Sequence, residues 1–198
     1  MLTTNGRNQL LDATDVDFLS LHTGFPGQTQ ANEVAGGSPA YARKGVTWAA
    51  AASGEKASSN SQVFDIPAST TVRWIGYSDA VTSGNGRGCA PNGGTPKEFQ
   101  VIAGTDKIRE VGHGRANDSK VVFYGGTAPG GLTEGTIYFV INAGTDDYEV
   151  SATLGGSLIN LTSVQASGCV VSVIVEESFG AQGTFTLASG VTKLNLNQ

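Results

Sequence analysis

The sequence predicts an all-β protein: an antiparallel β-sandwich core with an inserted small β-rich domain of barrel or sandwich type. Glycine occurs 28 times in 198 residues, about twice the usual share, while charged residues make up only 15%. Short β-rich runs recur along the chain, each closed by Gly, Asn or Asp, a spacing that suits hairpins in a sandwich or small barrel. After Ala13 no segment of ordinary helix length carries a 3.6-residue period, so an α/β nucleotide-binding fold has no crossover helices to use. Repeats of the kind that mark solenoids or propellers are absent too.

The elements follow in order. "TTNGRNQLLDATD" is the one helical segment, with Thr4 or Asn5 as cap and Leu10 and Leu11 as its apolar edge. "DVDFLSLHT" alternates, with Val16, Phe18 and Ser20 on one face and Asp17, Leu19 and Leu21 on the other, and stops at the turn "GFPG". The glycine-rich stretch "ANEVAGGSP" leads into "YARKGVTWAAAA", read as a half-buried strand ending at Trp48, with Tyr41 and Arg43 opposite Lys44 and Val46. Val63 to Ile66 forms a strand halted by Pro67, which cannot donate to a ladder, and Thr71 to Ser78 forms another.

From Val81 to Lys97 the chain becomes dense in Gly, Pro and Asn and reads as a connection or domain boundary. Beyond it "EFQVIAG", "SKVVFYGG", "GTIYFVINAG", "DDYEVSAT", "SLINLTSV" and "CVVSVIVEE" are strand candidates, followed by "GTFTLASG" and "TKLNLNQ". The expected division is a core of residues 1–97 plus 176–198 and an inserted domain of 98–175.

Charge narrows the function classes. Met1 to Lys97 holds seven basic and seven acidic residues, whereas Glu98 to Gln198 holds five and ten. An acidic chain of net charge −5 and pI near 4.9 has no field for a phosphate backbone, so no nucleic-acid partner is expected. The N-terminus has no apolar run resembling a signal peptide, and no stretch is long enough to insert in a membrane. Cys89 and Cys169 lack C-x-x-C spacing and neighbouring histidines, which argues against zinc and leaves one disulfide or two thiols open.

Candidate chemistry is sparse. His22 and His113 each sit beside a turn signal with no nucleophile elbow, so both read as surface or turn histidines. Asp12, Asp15 and Asp17 miss the calcium-loop spacing and suit capping and a solvent face. Asp147 and Glu149 fall on one side of a strand, Tyr148 on the other; such a pair can imitate a glycosidase dyad, but an Asp-rich hairpin is commoner. "GNGRG" around Arg87 opens no helix and reads as linker rather than anion nest. "NLT" at Asn160 meets the glycosylation consensus, which counts only on secretion. Trp48, Trp74, Tyr77 and Phe64 fit core packing better than a sugar platform. No catalytic residue, cofactor or metal is expected, and no partner-binding residue is assigned.

The segments "NGRNQLLDA", "FLSLHTGFPGQTQANEVAGGSPAYARKGVTWAAA", "FDIPASTTVRWIGYSDA" and "ESFGAQGTFTLASGVTKLNLN" resemble virion structural proteins of tailed bacteriophages, especially actinobacteriophages. That family includes minor capsid, decoration, head-fibre and minor tail proteins. The similarity covers about Asn5 to Ala80 and Glu177 to Asn197. Between them, "KVVFYGG" to "SVQASG" looks like a separate β-rich unit recurring in phage structural proteins.

The resemblance implies a non-enzymatic virion protein made in the host cytoplasm that binds the capsid exterior. Its implied partners are the major capsid protein and further copies of itself, as a homotrimer or other homo-oligomer; many identical copies turn weak contacts into durable attachment. The alternative is a tail-associated or fibre protein that recognises the host envelope, with a surface glycan bound by the inserted domain. A cell-wall-degrading enzyme is the third possibility and requires two carboxylates facing one groove.

Overall fold

A computed structural model describes residues 2–102, 104–164 and 168–196. The chain divides into two compact units: Met1–Ala90 with Glu177–Gln198, and Pro91–Glu176.

The first unit opens with helix α1 (Thr4–Asp12), the predicted helix, capped one residue earlier than expected, by Thr3, whose side chain accepts the Gly6 N–H. Its strands are β1 (Phe18–His22), β2 (Lys44–Gly45), β3 (Glu55–Ala57), β4 (Gln62–Ile66), β5 (Thr70–Val72), β6 (Trp74–Ser78) and β7 (Gly86–Pro91). The expected Tyr41 to Trp48 strand contracts to the two residues of β2, because Tyr41 and Arg43 are drawn to other partners and only Trp48 makes an isolated bridge, to Ser58. The Thr71 to Ser78 run divides at Arg73, whose N–H donates to the His22 carbonyl, and its halves enter different ladders. The Gly/Pro-rich stretch is not all linker, since β7 forms the edge of a four-stranded sheet of order β2-β1-β6-β7.

The chain returns to this unit as β14 (Glu177–Phe179), β15 (Gly183–Leu187) and β16 (Lys193–Asn195), the last two residues of "TKLNLNQ" lying outside the described ones. These strands pair antiparallel with β5, β4 and β3 in turn, so the C-terminal segment runs back along residues 55–72. Leu19 and Leu21 from the four-stranded sheet meet Phe64, Ile66, Phe185 and Leu187 from the β4–β15 layer. Alternate residues of each layer face the other, which is the packing of a sandwich.

The second unit contains β8 (Gln100–Ile102), β9 (Lys107–Arg109), β10 (Lys120–Tyr124), β11 (Ile137–Ile141), β12 (Asp147–Ser151) and β13 (Val170–Val173). They form one six-stranded sheet of order β13-β10-β11-β12-β9-β8. Lys97 bridges Val171 of β13, the opposite end of that order, just three residues before β8 begins. Three residues reach at most about 11 Å, so the two ends of the sheet are close and the sheet curls towards a barrel. Ile108, Phe123, Val140 and Tyr148 fill its interior. "SLINLTSV" is not a strand; Leu158 contributes one bridge, to Ser151.

Candidate functional site

The stretch Ala31 to Trp48 serves the first unit's own structure. Gly36 and Gly37 take positive φ values of 84° and 91°, the Ser38–Pro39 peptide is cis, and the turn is pinned by Gln182, which accepts from the Ser38 N–H and donates to the Pro39 carbonyl. This delivers Tyr41 onto Phe64, ring centroids 6.2 Å apart, with its hydroxyl accepting the Leu21 N–H at 2.7 Å. Arg43 makes a two-pronged pair with Glu33 at 2.9 and 2.8 Å and donates to the Ala80 carbonyl. Lys44 faces Asp65 at 3.9 Å. Both cations are balanced within the protein, so the loop offers phosphate no free positive charge.

His22 departs from the surface reading. Its Nδ1 donates to the Ala31 carbonyl at 2.7 Å, and its Nε2 lies 2.8 Å from Ser20 Oγ, itself 3.1 Å from Gln30 Oε1. A serine hydroxyl beside an imidazole is the start of a nucleophilic site. Here both residues are 0% exposed, so no substrate reaches them. Burial pushes the His22 pKa below its ordinary 6.5 and keeps the ring neutral. The group anchors the residue 23–34 loop over the outer face of β1, together with Phe25 packed edge-on against buried Trp74.

The acidic candidates resolve into structural contacts. Asp12 accepts the Ala51 N–H and faces Lys56, while Asp15 and Asp79 both bind Arg87, making "GNGRG" part of an ion-paired edge strand. Asp146 accepts the Gly112 N–H, Asp147 pairs with Lys107, and Glu149 binds Asn142. Asp147 and Glu149 lie opposite the buried Tyr148 as the alternation requires, yet each is engaged separately. Among the described residues no three His, Cys, Asp or Glu side chains are grouped to hold a metal ion. Cys89 and Cys169 are not joined in a disulfide. Trp74 and Phe64 are core, Trp48 and Tyr77 half-buried against it, and Asn160 is exposed.

The second unit carries an arrangement that its sequence did not reveal. Arg115 grips Glu110 through Nε and Nη2 at 2.8 and 3.0 Å, with both side chains 6% exposed, and Tyr148 donates to the same carboxylate at 3.2 Å. His113 accepts the Arg115 N–H on Nδ1 and sits edge-on to Tyr148, centroids 5.0 Å apart. These contacts fix residues 110–115 beside the near-closure of the sheet. There a groove of about 800 Å³ opens, lined by Lys97, Phe99, Gln100, Arg109, Val111 and His113 among others. No sequence period joins Lys97 to Arg109; their proximity comes from the β8–β9 pairing and the Lys97 bridge to β13.

Among the described residues the Ser20–His22 pair is thus sealed from solvent, and a groove opens beside the sheet of the second unit. Residues 5–101, just under half of the chain, match the family model of podophage GP4 fiber I protein gp80. The match indicates a phage virion structural protein. The chain matches no curated protein and no solved structure.

Proposed function

We propose that this chain is a fibre protein on the outside of a phage particle, tail-associated, that contributes to recognition of the host envelope. The observation that carries this reading is the similarity of residues 5–101 to a phage fibre protein. It favours the host-recognising alternative over the capsid-decorating role that leads from sequence resemblance alone. The division into units supports the same reading: the first, stitched by its own C-terminal strands, suits attachment, and the second, interrupting it in the chain, suits display. Self-association and contact with other virion proteins belong to this proposal, since single weak contacts hold a particle component only when repeated.

The test is gold labelling of purified particles with an antibody to the second unit. Label on tail-associated fibres is the expected result. Label spread over capsid faces overturns the fibre reading and restores capsid decoration.

A further inference from the structure

The second unit is acidic, with nine Asp and Glu against five basic side chains, Lys97, Lys107, Arg109, Arg115 and Lys120. Three of the five are neutralised locally: Lys107 by Asp147, Arg115 by Glu110 and Lys120 by Glu176. Lys97 and Arg109 are exposed and have no side-chain partner among the described residues, and both line the groove beside the near-closure of the sheet. The two free cations of an acidic unit therefore share one concave surface.

Their positions are set by backbone rather than by chance of rotamer. Lys97 is tied to β13 by two hydrogen bonds with Val171, of 2.8 and 3.0 Å. Arg109 lies in β9, directly across from Gln100 on one side and Asp147 on the other. Between them the groove offers the Gln100 amide, the Glu98 carboxylate and the exposed side chain of Val111, with Phe99 buried in the core beneath. Glu110, which also borders the groove, is neutralised by Arg115. The inventory is two cations for an acid group, an amide and a carboxylate for hydroxyls, and apolar atoms for the C–H face of a ring. A volume of about 800 Å³ accommodates more than one sugar ring.

We infer that this groove binds an acidic saccharide, a sugar chain bearing carboxylate or phosphate groups, through Lys97 and Arg109. Glu98 disfavours densely charged polyanions and favours a ligand whose acid groups are separated by hydroxyl-bearing rings. The inference rests on the host-recognition reading, because an envelope polysaccharide is where a fibre protein meets such a ligand.

Binding of the full chain is measured by titration calorimetry with a galacturonic acid tetramer, a phosphorylated mannose oligomer and an uncharged galactose tetramer. Binding of either acidic probe, but not the neutral one, is expected, and which acid binds identifies the charged group. Lys97→Gln with Arg109→Gln is expected to weaken it tenfold or more, while Lys107→Gln, which removes a cation already paired, leaves it unchanged. Equal loss in Lys107→Gln shows a response to net charge and overturns the assignment, as does absence of acidic-probe binding. Adsorption of labelled chain to cells the phage infects separates the two readings. Adsorption undiminished by the double substitution sinks the groove alone, and absence of adsorption by the unaltered chain sinks host recognition itself.

Discussion

Gly76 stands directly opposite Ser20 in the β1–β6 pairing, and a Cβ on it would lie 2.4 Å from Ser20 Oγ. The same Cβ would lie 2.4 Å from His22 Nε2 and from Gln30 Oε1, so the polar cluster occupies the space that the missing side chain leaves. Gly76→Ala is therefore expected to destabilise the protein by about 2–3 kcal/mol through overpacking of buried side chains. Denaturant unfolding at neutral pH measures it, and an unchanged midpoint contradicts the close packing.

His22 predicts a pH dependence. Its folded pKa lies below 6.5 because burial disfavours the charged ring, so the unfolded chain takes up the proton first. Its stabilising contribution is complete above the unfolded value and falls as pH drops from about 6.5 towards the folded value. Unfolding free energy measured between pH 7.5 and 5.5 should decline, and His22→Asn should flatten that part of the curve. A slope identical in the variant would assign the effect to other groups.

The Arg43 side chain is 8% exposed and depends on Glu33 for both prongs of its charge pairing. Glu33→Gln keeps the shape but removes the countercharge, and is expected to cost about 2–3 kcal/mol, at the lower edge of what breaking a buried pair costs because Glu33 itself is partly in water. Thermal melting of the variant checks this. Arg43→Lys should be nearly as damaging, since a lysine cannot hold the carboxylate and the Ala80 carbonyl together.

Trp48 half-buries its ring against the core while its indole N–H donates to the Val16 carbonyl at 2.7 Å. Trp48→Phe should cost about 1 kcal/mol for the lost hydrogen bond. Trp48→Ala should cost about 2–3 kcal/mol, less than for a fully buried ring. Comparing the two melting shifts separates the polar contact from the packing.

Cys169 is buried, and loss of hydration pushes its thiol up to about 11. Iodoacetamide at pH 8 should leave it unmodified in the folded protein and label it on unfolding. Mass spectrometry of labelled peptides reads the outcome, and rapid modification of native Cys169 would show that the site opens.

Much of the all-β organisation is written in local sequence. Alternation at Phe18 to His22 and at Asp147 to Ser151, and turn residues closing each run, specify strands because a strand's period depends on neighbouring residues alone. The shortened Tyr41 to Trp48 strand and the hidden β7 were illegible for the opposite reason. Glu33 claims Arg43 from ten residues away, and β7 exists because β6 offers its glycine-rich stretch a free edge. His22 looks like a turn histidine until the residue 23–34 loop folds over it.

The sequence by itself determined the fold class, the resemblance to phage virion proteins and the lack of a basic field, because composition and short-range pattern fix these. Only the tertiary structure decided which charges are spent and which are free. Arg43, Arg87 and Arg115 find carboxylates five to ten residues away because loops fold back on them, and Arg87 also meets the distant Asp15, whereas Lys97 and Arg109 are left facing a common groove by strand pairing. Pairing between residues distant in the chain depends on register and closure, which no local pattern encodes.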